Sequence, residues 1–355
     1  MNEEPARTNR KATRFAVLAV PLVMVAVLYL IWSHIDLALV DVQAPASFSR
    51  RAEPMTVNVC GSLSSLVRRL EYQLNGGHWV GVKGGPPRVL DGHFIIELHP
   101  ELLRPGRNEL RIRAYAYGRH RAEVKSVPIN YDPSPVKLPL VADWSSGEVE
   151  SYDGEWESFM VNGERRVRPS PGMEGYDRIL LVTGAFPGGR RIETDVIFRR
   201  ATNEARHGFG VLTLWGGHID EPGVGPRRGW LFGLVWYSSR YNGVANDFSR
   251  KEGAGAVCSL TSAKGVSIAP GQRFNIVVET WPEIDADGLH RFRQRMKWWS
   301  AGKPAPEYWV ELSDTARVLP DQEYSVALLA SRCQVDFGPV SVTPLQRPAQ
   351  TGQTD

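Results

Sequence analysis

Three groups of side chains in this 355-residue chain combine types and spacings that could do chemistry. The first is Glu283-Ile284-Asp285-Ala286-Asp287. On a strand, carboxylates at i, i+2 and i+4 project from one face, and two carboxylates flanking a glycosidic bond can cleave it. Pro282 ahead of the run and Asp287-Gly288 at its end favour instead a polar hairpin loop, between a strand ending at Trp281 and another starting near His290. Glu283, Asp285 and Asp287 therefore stand only as the catalytic alternative.

The second group is Trp215-Gly216-Gly217-His218, with Arg228 and Trp236-Tyr237 beyond it. A sugar offers apolar C–H faces ringed by hydroxyls, so its site needs a flat aromatic and a few directional polar groups. Glycines beside Trp215 would leave its ring face open, and His218 and Arg228 would supply hydrogen bonds. The competing use of Trp215, Trp236 and Tyr237 is core packing. The third group is Arg291-Phe292-Arg293-Gln294-Arg295-Met296-Lys297-Trp298, where alternation puts four cations on one strand face. Lining the concave sheet, such a face suits uronic or sulfated sugars through charge-assisted pairing; otherwise it is a solvated outer face balanced by Glu and Asp on neighbouring strands, such as Glu193 and Asp195.

Composition narrows the setting of these groups. Basic side chains number 42 against 39 acidic, a net charge of +3, which supplies no field for a phosphate backbone and excludes nucleic acid as a partner. With 42% hydrophobic and 23% charged residues the chain is globular, and its length suits about two domains. It contains no phosphate-binding loop, no Gly-x-Ser-x-Gly elbow and no zinc-binding helix pattern. Cys60, Cys258 and Cys333 fit no zinc spacing; Cys258 and Cys333 either pair as a disulfide or join Cys60 as small buried thiols.

Phe15 to Trp32 is an uncharged apolar run, about 27 Å long as a helix, which nearly spans a bilayer core. Arg7, Arg10, Lys11 and Arg14 precede it and no Lys or Arg follows closely, so residues 1–14 are expected in the cytoplasm and everything after the 15–33 anchor outside. Ala44-Pro45-Ala46 is a poor cleavage site because it lies far from the apolar run. The expected location is the cell membrane, single-pass, with a periplasmic or extracellular C-terminal part.

The elements that must position the candidate residues are all strands. Residues 55–60, 68–75, 93–98, 109–116 and 123–131 alternate with turns between, the pattern of a β-sandwich over 41–132. Asn75-Gly76-Gly77 predicts a tight hairpin. Asp132-Pro133-Ser134-Pro135 marks a linker. Residues 137–345 hold strand candidates at 178–184, 191–199, 209–215, 230–237, 274–281, 290–299, 324–330 and 334–343, enough for two large packed sheets. Residues 346–355 read as a disordered tail.

Pro105 to Ala114, with Tyr72 to Gly77 and Trp79, resembles bacterial immunoglobulin-like and fibronectin-like modules, which implies that 41–132 is a spacer or stalk. Asp153 to Trp156, Tyr176 to Leu181, Trp215 to His218, Trp236-Tyr237, Trp298 to Trp309 and Val335 to Val342 resemble the concanavalin A-like lectin/glucanase jelly roll, in its laminin-G-like bacterial branch. That resemblance covers nearly all of 137–345. It implies a structural Ca²⁺ between first and last strands, where Asp143 and Asp336 fall, although two carboxylates are fewer than the ion takes. Glucanase relatives carry a Glu-x-Asp-x-Glu strand, from which Asp287 departs by being an Asp.

The expectation is thus an all-β, membrane-anchored protein of the bacterial cell envelope that binds an envelope or secreted polysaccharide without cleaving it. A glycoside hydrolase or polysaccharide lyase is the enzyme alternative, and a structural module with an envelope protein partner is the third. An uncleaved anchor predicts that the full-length protein stays in the membrane pellet after alkaline carbonate extraction; release of a fragment starting near residue 47 would overturn it.

Overall fold

The computed structural model describes residues 24, 40–45, 47–52, 55–82, 89–90, 92–116, 123–145, 149–172, 177–217, 232–241, 243–252, 255–264, 268–284, 288, 290–311 and 323–345. Apart from Met24 the expected anchor 15–33 lies outside these, as does the tail. Among the described residues no helix is long and apolar enough to cross a membrane. Among the described residues from Val40 on, the elements are strands, with one 3₁₀ turn at Pro100–Leu102, and the strands form four antiparallel sheets.

Two four-stranded sheets make a first sandwich. One runs Val40–Gln43, Val57–Leu63, His93–Leu98, Val89–Leu90, and the other Val80–Gly81, Val67–Leu74, Gly106–Ala116, Glu123–Tyr131. The alternation in Gly106–Ala116 works as expected: Leu110, Ile112 and Ala114 are fully buried against Val57, Val59 and Ile96, while Arg111, Arg113 and Tyr115 face outward. Asn75 and Gly76, both at positive φ (50° and 74°), turn Val67–Leu74 back into Val80–Gly81.

The second sandwich is larger. A seven-stranded sheet runs Glu150–Asp153, Asp177–Leu181, Ser325–Ser331, Gly208–Trp215, Phe232–Ser238, Gly243–Glu252, Gly255–Lys264. Facing it, a nine-stranded sheet runs Trp156–Val161, Glu164–Pro169, Cys333–Phe337, Arg190–Ala201, Arg273–Ile284, His290–Ser300, Val310–Glu311, with Val340–Pro344 and Leu140–Ala142 alongside. Leu180, Val211, Val235, Val326 and Leu328 of the first meet Ile192, Val196, Ile276, Val278 and Met296 of the second. Cys333 sits in this core with its thiol donating to the Gly208 carbonyl at 3.3 Å, while the side chain of Cys258 lies outside what the structure describes.

The seven-stranded sheet is apolar on its other face as well: Ile179, Leu181, Leu212, Leu234, Ala327 and Leu329 are covered there by Met55, Tyr152 and Trp215. Two covered faces explain why its strands read as unbroken apolar runs rather than alternating ones. Met55 belongs to the first sandwich, so the 41–132 unit is no detached stalk but closes the second sandwich from one side.

The same contact seals the edge strand Glu150–Asp153. Asn58 Nδ2 donates to the Tyr152 carbonyl at 2.6 Å, Gln43 Oε1 accepts from Trp156 N at 3.0 Å and from Ser151 Oγ at 3.1 Å, and Arg51, fully buried, pairs with Glu150. Arg50 adds a two-pronged pair with Glu323, both contacts 3.0 Å. Polar side chains thus occupy backbone groups that an open sheet edge would present to another chain. Trp215→Ala should cost about 3–5 kcal/mol of stability. Because Trp215 and Met55 share one cluster, both sandwiches should melt in one transition in wild type; two separate calorimetric transitions would show that the junction does not couple them.

Candidate functional site

The tryptophan that heads the second group does not lie at the surface. Trp215 is fully buried, edge-on to Tyr152 with ring centroids 5.2 Å apart. Gly217 has φ +91°, and a Cβ there would lie 3.0 Å from Met55 Cα and 3.1 Å from the Tyr152 hydroxyl. The glycine therefore admits the neighbouring sandwich rather than opening a ring face. Tyr237 points into the core against Phe209 and His207, where burial raises its phenol above the usual range. Trp236 lies half-buried on the opposite face, over Gly208 and Gly210, whose absent Cβ atoms leave room for it. His218 and Arg228 lie outside the described residues.

The carboxylate group also changes. Glu283 belongs to the strand Arg273–Ile284, which continues through Pro282 instead of ending at Trp281. Phe292 is the Cα partner of Pro282, and Glu283 accepts from Arg293 Nε at 2.6 Å. Asp285 and Asp287 lie outside the described residues. As for calcium, Asp336 is fully buried and its carboxylate accepts from Arg199 Nε at 2.5 Å, with Arg168 4.0 Å away. Asp143 is exposed and closes a turn, where the Ser145 N–H and hydroxyl hold its carboxyl below the ordinary range. Arg199 thus takes one oxygen of Asp336, while Asp143 takes its hydrogen bonds from its own turn. Among the described residues no group of three or more His, Cys, Asp or Glu could hold a metal.

The basic strand takes the outer face of the nine-stranded sheet. Its Phe292, Met296 and Trp298 point to the core and Arg291, Arg293, Arg295, Lys297 and Trp299 outward. Register then sets the outward rows: Asp195, Asn275 and Trp299; Glu193, Val277 and Lys297; Arg191, Glu279, Arg295 and Glu311; Trp281 and Arg293; Glu283 and Arg291. Glu193 and Asp195, expected to balance the basic strand, pair instead with arginines outside it. Glu193 takes Arg191; Asp195 takes Arg273 at 2.8 Å and the fully buried Arg166. The strongest node is Glu279, unremarked in the sequence, whose buried carboxylate accepts from Arg191 Nη1 and Arg295 Nε, each at 2.7 Å.

Aromatic rings interleave with these charges. Trp309, returning from the turn after Ser300, lies over Arg295 (4.5 Å to the ring centroid) and Lys297 (4.9 Å), and Arg295 also faces Trp281 at 5.4 Å. Trp281, Trp299 and Trp309 are each partly exposed, and Tyr308, on the loop stiffened by Pro304 and Pro306, is 84% exposed. The result is a solvent-facing strip of flat rings spaced by guanidinium, ammonium and carboxylate groups. A periodic run of Arg and Trp on a strand was its sequence signal; which face would be outward was not readable from it.

No family model matches the chain, and no curated protein matches it. Among solved structures it is similar to the carbohydrate-binding module CBM66 from Bacillus subtilis (13% identity, 55% of this chain and 94% of that one, TM-score 0.33). It is also similar to a mutant of the alginate lyase Aly36B bound to an alginate trisaccharide (11%, 59% and 100%, 0.34), and to a legume lectin-like domain from Entamoeba histolytica (8%, 54% and 90%, 0.33). Similarity at this level carries no argument about ligand or activity, and the sandwich architecture stands on the strand pairing alone.

The geometry separates two carboxylates that look alike in sequence. Glu279→Gln weakens two charge-assisted bonds at a buried position and should cost about 1–3 kcal/mol. Glu283→Gln neutralises a more exposed carboxylate and should cost less, under about 1 kcal/mol. Urea denaturation of the two variants measures the difference; equal losses would contradict the node assigned to Glu279.

Proposed function

We propose that this chain is a membrane-anchored, extracytoplasmic carbohydrate-binding protein of the cell envelope, whose second sandwich is a lectin-type jelly roll that holds a polysaccharide without cleaving it. The observation that supports binding is the strip of Trp281, Trp299, Trp309 and Tyr308 among Arg295, Lys297, Glu279 and Glu283. Half-exposed indoles offer the flat apolar surface a pyranose ring needs, and the flanking charged groups offer donors and acceptors for its hydroxyls. Glu279 and Glu283 accept hydrogen bonds from arginines, which uses them as acceptors rather than as proton donors to a glycosidic oxygen. That supports retention over hydrolysis. The anchor and the outward orientation rest on residues 15–33 and the basic residues ahead of them.

A polysaccharide panel run on the full-length protein in nonionic micelles, with reducing-end release followed in parallel, tests the reading. Folded wild-type protein should retain at least one polymer and release no reducing ends, and Trp309→Ala should weaken retention about tenfold, the worth of one stacked ring. Retention unchanged in Trp309→Ala would move the site off this strip. Product formation lost in Glu283→Gln would establish the hydrolase instead.

A further inference from the structure

The charges on the strip are not equivalent. Arg191 is matched by Glu193 and Glu279, Arg293 by Glu283, and Arg295 by Glu279 with Glu311 at 4.0 Å. Each of these guanidiniums would have to leave a carboxylate of its own protein before pairing with a carboxylate of a ligand. Lys297 differs. Its ammonium rests on the Trp309 ring, 4.9 Å from the centroid, and among the described residues makes no ion pair with a carboxylate. Its row neighbours on the outward face are Val277, which brings no charge, and Glu193, already engaged by Arg191. Along its own strand the next outward residues are Arg295 and the partly exposed Trp299.

We propose that Lys297 makes this surface selective for acidic polysaccharides, chains bearing uronate carboxylates: the ammonium, held against one face of Trp309, meets the carboxylate of a sugar ring carried by the adjoining strip of indoles. The assignment rests on the carbohydrate-binding reading of the strip and names its ligand class. A carboxylate on a pyranose projects from the ring edge, so a ring packed on Trp299, the next outward residue of the same strand, brings it within reach of the Lys297 ammonium. An ammonium is a point charge with three donors and tolerates a range of approach directions, unlike a planar guanidinium already fixed in a pair. Both groups are exposed enough for salt to weaken the contact.

The matched ligands are a linear polyuronate and the same polymer with its carboxyls reduced to alcohols, which keeps the ring and removes the charge. Affinities are measured on full-length protein in nonionic micelles at low and at physiological ionic strength. Wild type should bind the polyuronate about tenfold tighter than the reduced polymer, with the gap narrowing as salt rises. Lys297→Met should erase that preference while leaving affinity for the reduced polymer within about twofold. Lys297→Arg should restore part of it, and Trp309→Ala should weaken both polymers. Equal wild-type binding of the two polymers, or a preference that survives in Lys297→Met, overturns the inference while leaving carbohydrate binding in place. Failure of folded wild-type protein to bind either polymer overturns both.

Discussion

The contact between Met55 and the outer face of the seven-stranded sheet constrains most of what surrounds it. That face is built from Ile179, Leu181, Leu212, Leu234, Ala327 and Leu329, and a sheet apolar on both sides cannot leave one of them in water without losing roughly 25 cal/mol for every Å² exposed. The first sandwich supplies the cover. In doing so it sets the use of Trp215 and Gly217, fixes Arg51 beside Glu150, and brings Asn58 and Gln43 onto the backbone of 151–156. The buried ion pair adds little net stability by itself, since desolvation offsets its attraction, but losing one partner would leave the other buried and uncompensated. It specifies one docking geometry.

With one side of the second sandwich covered, the outer face of the nine-stranded sheet becomes the broad solvent-facing surface. Its chemistry is near-neutral in sum and finely divided in detail. Carboxylates on Arg190–Ala201 and Arg273–Ile284 meet cations on His290–Ser300 through ordinary cross-strand neighbours. Asp195, Asp336 and Arg166 are sunk into the same face, with Gly338 leaving room for Asp195, since a Cβ there would stand 2.2 Å from Oδ1. Such matching keeps strands rich in arginine from repelling one another, and it holds Trp281 and Trp309 in fixed positions for a ligand.

The strands with clean alternation or strong β-branched content were legible in the chain. His93–Leu98 and Glu123–Tyr131 end where the pattern ends, and Gly106–Ala116 buries the predicted side. Other strands were not: Glu150–Asp153, Glu164–Pro169 and Gly243–Glu252 carry too few apolar residues for periodicity to mark them, and Trp156–Val161 and Gly255–Lys264 carry theirs out of alternation. One signal was overlooked. Asn162-Gly163, both at positive φ (50° and 82°), is the hairpin turn joining Trp156–Val161 to Glu164–Pro169, and Asn-Gly between alternating segments is the strongest short-range mark of a hairpin. Pro282 misled in the opposite sense, because the strand continues through a residue that lacks an N–H.

By itself the sequence determined the all-β class, the boundary near the 132–135 prolines, the apolar run at 15–33 and the basic face of residues 291–297, because each follows from the order and period of neighbouring residues. Tertiary structure alone decided which aromatic rings meet water. Trp215 beside two glycines and Trp309 beside a proline-rich loop look equally available in one dimension. The first is closed by Met55, 160 positions earlier, and the second is left open by the edge of a sheet. Burial is a property of what the rest of the chain places against a side chain, and period and propensity report only on its neighbours along the chain. Likewise, four cations share one strand face, and only the register of the adjoining strands decides which carboxylate each of them meets among the described residues.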